Sequence, residues 1–172
     1  MITMKSTLIL ASAMVLSISL SSCGNSQDSS KLETTGQKTI DKKSQNVLLE
    51  NYLKIKNALV QTDGATASKA ASELVASIGA NPDELFQKIR FDAQHIADTE
   101  NPDHQRDHFN TLSDNIYQWV KATESNEQKL YRQYCPMAFD NSGAYWLSAE
   151  KEINNPYFGN KMLRCGSVKE EL

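Results

Sequence analysis

Apolar residues recur at helical spacing through the middle of the chain. Val47, Leu48, Tyr52, Ile55 and Leu59 predict a first helix over about residues 43–61, which Asp63-Gly64 stops. A second helix over about 66–78 carries the small-residue face Ala67, Ala70, Ala71, Leu74, Val75 and Ile78, and Gly79 fits its C-terminal stop. The next two starts share one design. Asn81-Pro82-Asp83 and Asn101-Pro102-Asp103 each place an N-cap amide, a proline at the first helical position and an acid in the first turn. Glu84 gives the first of them the form of a capping box. Leu85, Phe86, Ile89, Ala93 and Ile96 form the apolar stripe of the third helix. Phe109, Leu112, Ile116, Trp119 and Val120 form that of the fourth, which should end near Thr123.

After Asn126 the helical period is lost. Leu130, Tyr131 and Tyr134 fit a last helical segment or an extended one equally well. Asp140-Asn141-Ser142-Gly143 is a turn, so 137–139 and 144–147 are expected to pair as a short β-hairpin. Asn155-Pro156 and Gly159-Asn160 mark two more turns. The fold class predicted is therefore mainly α: an antiparallel four-helix bundle, with an irregular C-terminal segment containing that hairpin and laying Tyr145, Trp146, Tyr157 and Phe158 on the bundle.

The N-terminus is of another kind. Lys5 precedes an apolar run over 8–20, too short to span a bilayer as a finished helix, which marks a signal peptide over 1–22. Leu20-Ser21-Ser22-Cys23 resembles the lipobox of bacterial lipoproteins, which implies cleavage before Cys23 and lipidation of that residue. Three acyl chains there would anchor the protein firmly, each buried methylene contributing about 0.8 kcal/mol. The other reading is an ordinary secretory signal that leaves Cys23 as a spare thiol. Residues 24–44 are rich in Ser, Thr, Gln and Lys and hold little to bury, as expected of a tether. One folded domain over about 45–168 remains. The 18 basic and 21 acidic residues of the chain give −3, and loss of Lys5 leaves −4, so no basic face for nucleic acid is indicated. Gly24 stands where inner-membrane retention in some bacteria uses aspartate, which favours the outer membrane within the cell envelope.

Candidate chemistry concentrates in 134–166, where Cys135-Pro136-Met137 and Met162-Leu163-Arg164-Cys165 put a cysteine and a methionine at each end of one stretch. Thiolate and thioether are the ligands copper(I) prefers. The alternative is a disulfide between Cys135 and Cys165, common in exported proteins, closing a loop of about 30 residues and contributing roughly 3 to 4 kcal/mol. Spacing leaves both open. Pro136 and Gly166 specify the backbone beside each cysteine. His104 and His108 lie four apart on one helix face, with a surface role as the plainer reading. His108 flanks the buried stripe and His95 lies beside Phe91, so His108 and His95 are candidate additions to a metal site. The sequence has no serine–histidine–aspartate order, glycine-rich phosphate loop or His-Glu-x-x-His helix, and an enzyme is not expected.

C-P-M-A, G-A-Y-W-L-S and I-N-N-P-Y-F-G-N-K-M-L-R-C-G, with Q-R-D-H-F-N-T-L-S-D before them, resemble the family catalogued as domain of unknown function 3347. Its members are small exported or lipid-anchored proteins and C-terminal extensions on periplasmic adaptor subunits of copper- and silver-type efflux pumps. The resemblance extends over about 47–167. Joined to the paired cysteines and methionines, it leads to the expectation of a non-enzymatic envelope protein that handles copper(I) or a similar soft metal near an efflux adaptor, with Cys135, Met137, Met162 and Cys165 as ligands. Cys-Pro-Met also resembles the opening of small heavy-metal-binding domains, but Ala138-Phe139 stands where that motif has His-Pro. A disulfide-stapled module that docks on an efflux component without metal is the other expectation.

Overall fold

Asp41 caps the first helix, its carboxylate accepting the Ser44 N–H at 3.0 Å, so the helix begins inside what composition marks as tether. The computed structural model describes residues 41–123 and 128–172; the expected signal peptide over 1–22, Cys23 and the expected tether up to residue 40 lie outside them. Four long helices follow in order: α1 (Lys42–Val60), α2 (Gly64–Ile78), α3 (Glu84–Ala97) and α4 (Pro102–Ala122). Among the described residues no helix is long and apolar enough to cross a membrane.

The two Asn-Pro-Asp segments do not start their helices alike. At α4, Asn101 is the N-cap, accepting the Asp103 N–H at 2.9 Å, and Pro102 is the first helical residue. At α3 the cap is Asp83, whose carboxylate accepts the Leu85 and Phe86 N–H groups; Asn81 instead accepts the Asp83 N–H at 3.0 Å. The helix therefore begins two residues later than expected and the capping box with Glu84 does not form. The same three residues thus cap one helix through the carboxylate and the other through the amide, since both side chains are good N-caps.

Leu48, Tyr52, Ile55 and Leu59 of α1 and Phe109, Leu112 and Ile116 of α4 are fully buried, as their spacing predicts. Consecutive helices pack on one another, and α1 also reaches α4, where the Tyr52 and Phe109 rings stack with centroids 5.4 Å apart.

The C-terminal part departs from the expected hairpin. It is a three-stranded antiparallel sheet of β1 (Tyr131–Cys135), β2 (Ala144–Ser148) and β3 (Ser167–Glu171), with β1 in the centre. Strand β2 pairs with 131–135, opposing Tyr134 to Tyr145 and Gln133 to Trp146, and not with 137–139. The Leu130–Tyr134 stretch is thus extended. Residues 139–141 form a left-handed turn instead of a strand: φ is 51° at Phe139, 54° at Asp140 and 70° at Asn141. Left-handed backbone costs roughly 1–2 kcal/mol per residue. The turn is held by the Gly143 N–H donating to the Ala138 carbonyl at 2.9 Å and by the Phe139 ring edge-on to Tyr157.

Buried polar groups join the sheet to the helices. The Tyr52 hydroxyl lies 2.9 Å from Ser113 Oγ and accepts the Leu147 N–H at 2.9 Å. Arg106 donates to the carbonyls of Pro156 at 2.9 Å and Leu59 at 3.1 Å. A buried cation is tolerable only when its donors are used in this way.

Candidate functional site

The stretch containing both cysteines closes on itself. Cys135 ends β1, facing the side of the sheet that residues 149–166 cover. Asn155, fully buried, organises the return: its amide donates to the Cys165 carbonyl at 2.8 Å, and its side-chain oxygen accepts the N–H groups of Tyr157 at 2.8 Å and Phe158 at 3.2 Å. Gly166 then passes so near β1 that a Cβ there would stand 2.9 Å from the Tyr134 carbonyl oxygen and 3.0 Å from the Trp146 ring. Only glycine permits that approach, at φ 144°.

The two sulfurs consequently meet, with Cys135 Sγ 2.8 Å from Cys165 Sγ. Both are free cysteines, Cys135 buried and Cys165 half-buried. The hydrogen bond to Cys135, then burial, push the Cys165 thiol up to about 11, against the opposing pull of the Met137 backbone N–H. The thiol form is thus favoured at neutral pH, and a metal must displace its proton to bind. Metal–thiolate bonds of about 2.3 Å in a tetrahedral site put two sulfurs roughly 3.8 Å apart. The pair must therefore part by about 1 Å to hold an ion, whereas a disulfide needs about 2.05 Å. Met137 flanks the pair with its side chain 47% exposed; Met162 is half-buried and its carbonyl accepts the Cys165 N–H at 2.9 Å.

The histidines gather elsewhere, between α3 and α4. The rings of His95 and His108 stack with centroids 4.3 Å apart, and His104 lies edge-on to His108 at 5.0 Å. His108 Nδ1 is 3.2 Å from the buried Asp92 carboxylate. His95 Nδ1 lies 2.9 Å from the Phe91 carbonyl. Among the described residues no ring contact, hydrogen bond or ion pair joins this group to the thiols. Nor does any set of three or more His, Cys, Asp or Glu side chains stand, as placed, ready to hold a metal ion.

One constellation has no counterpart in the sequence pattern. Lys56 Nζ is 3.1 Å from Glu150 Oε2 and 3.3 Å from Ser148 Oγ, and the Ser148 hydroxyl donates to Glu150 at 2.8 Å. Burial lowers the Lys56 pKa, as in a lysine base beside a serine nucleophile. Lys56 and Ser148 are each only 1% exposed, however, so no substrate reaches the hydroxyl. The group is a strut between α1 and β2. A lysine inside the apolar stripe of α1 was its only sequence signal, and that position normally reads as surface.

Fold and site together define a small helical domain closed by a three-stranded sheet that holds a paired-thiol centre. Residues 48–128 match the model of the family described as "Protein of unknown function (DUF3347)", the family that the sequence motifs resemble. The match ends before Cys135. No curated protein and no solved structure matches the chain.

Proposed function

We propose that this is a lipid-anchored protein of the cell envelope, held through Cys23 and placed at the outer membrane. In this reading it binds a soft metal ion, copper(I), in connection with heavy-metal efflux. Cys135 and Cys165 supply thiolates, and Met137 and Met162 supply uncharged thioethers that need no deprotonation. The carrying observation is the meeting of the two thiols at 2.8 Å with a methionine beside each in sequence. The Met137 side chain, about half exposed, can fold back over an ion and let it go, as a carrier requires. A periplasmic efflux adaptor is the proposed partner. For the helices we keep the antiparallel bundle, supported by the packing of each on the next and of α1 on α4. Anaerobic titration of the reduced protein with copper(I) against a chelator tests the site. One ion per chain is expected, with affinity falling at least tenfold in Cys135→Ser and in Met162→Leu. Stoichiometry and affinity unchanged in both variants would refute it.

A second reading is favoured by the same separation being too short for a bound ion: the pair closes as a disulfide and the domain docks on an efflux component without metal. It expects Cys135 and Cys165 of envelope-isolated protein to resist alkylation until reduced. Two free thiols in that material would exclude it.

A further inference from the structure

We infer that His95, His104 and His108, with Asp92 behind them, form a second cation site, separate from the thiol pair, for a borderline divalent transition ion of the zinc and copper(II) kind. The last turn of α3 and the first turns of α4 bring the His95 and His104 imidazoles each against that of His108, although they come from two helices. Imidazole nitrogen suits this class of ion, as thiolate suits copper(I).

Hydrogen bonding points the same way. A histidine that ligates through one ring nitrogen almost always gives its other N–H to a carboxylate or a backbone carbonyl, which fixes the tautomer and raises ligand basicity. His108 has that carboxylate in Asp92 at Nδ1. His95 has that carbonyl at Phe91, also at Nδ1; a carbonyl only accepts, so Nδ1 carries a proton and Nε2 is the nitrogen left to ligate. Asp92, 6% exposed, is itself held by the Asn115 amide at 3.5 Å, so the carboxylate is a fixed support for His108 and supplies negative charge behind a bound cation.

Stacked rings do not aim their nitrogens at one point, so capture requires His95 and His104 to turn about their side-chain torsions. Their positions allow this, His104 being exposed and His95 half-buried. A groove lined by Lys88, Phe91, Asp92, Thr111 and Asn115 lies next to the cluster. Protons compete for the same nitrogens, so occupancy falls as pH is lowered.

The test uses zinc on the mature protein and on its Cys135→Ser/Cys165→Ser variant, with calorimetry at pH 7.5. One zinc per chain is expected in both, with affinity lowered at least tenfold by His108→Gln and by His95→Gln, and roughly 10–100-fold by Asp92→Asn. Imidazole proton resonances of all three histidines in the unsubstituted protein should shift together on zinc addition, a readout that depends on no variant folding. Absence of those shifts, binding that disappears with the cysteines, or affinity indifferent to His108 and His95 would overturn the site. The copper(I) titration is read through the Cys135 and Met162 variants and the zinc titration through the histidine variants, so either proposal can fail while the other stands.

Discussion

The helical segment α1–α4 and the sheet with its covering loop obey different rules. In the helices the residues that decide a boundary lie within four positions of it: Asp41 with Ser44, Asp83 with Leu85, Asn101 with Asp103. In the sheet region the deciding partners are far away. Cys135 meets Cys165 across 30 residues, Ser148 meets Lys56 across 92, and Leu147 meets Tyr52 across 95. A local code is readable in one region, whereas the other takes its shape from the surface it is laid on. The apparent independence of the helices is correspondingly one-sided, since Lys56 finds Ser148 and Glu150 in the sheet region, and Tyr52 and Arg106 each have one partner there besides those in the helices.

The largest test of this contrast is removal of residues 131–172. The helices should then lose a cooperative thermal transition by circular dichroism, because the Arg106 and Lys56 cations and the Tyr52–Phe109 face lose their cover together. A helical segment that melts cooperatively at the same temperature would make the sheet an appendage. Next in size is Gly64→Ala. Helix propensity alone favours alanine by about 1 kcal/mol, but a Cβ there would collide with the Glu100 backbone carbonyl. The expected result in urea denaturation is therefore a net loss of roughly 1–3 kcal/mol; a gain would show that local preference rules even here. Asp83→Ala and Asn101→Ala should each cost about 1 kcal/mol, whereas either cap proving silent would show that packing alone sets that helix start.

The smallest effect is on pH. The Cys165 thiol is raised from 9.0 to about 11, so folding favours its protonated form in the reduced protein. That contribution is complete below about pH 9 and is lost as pH rises through about 11. Alkylation of Cys165 should accordingly keep accelerating up to about pH 11, and a plateau near 9 would show that Cys135 does not hold its proton.

Four helices, their apolar stripes and the Asn101 cap were legible because a 3.6-residue period is a local property of the chain. Local chemistry misjudged the α3 start by two residues, since Asn81 and Asp83 compete for one role and only their positions choose between them. The hairpin strands were misplaced for a stronger reason. Turn residues 140–143 were recognised, but Phe139 has no propensity for φ 51° and takes it only where its ring packs on Tyr157. Strand β3, 167–171, was invisible to alternation because it lies at the sheet edge, half-exposed along its length. Of the candidate ligands, cysteine and methionine drew attention by type. The gathering of three histidines against Asp92 depends on the crossing of two helices, which spacing along either helix does not disclose.

The sequence by itself determined the helices, since amphipathic period and capping act within a few residues, and it named sulfur as the candidate chemistry. Tertiary structure decided that the ends of the 134–166 stretch meet, through Asn155 and the glycine-only passage at residue 166. It also decided that the histidines lie on a different surface from the thiols, and that Lys56 is buried. Each of these turns on which distant groups share one volume, and that is settled by packing and by the need to satisfy buried polar atoms.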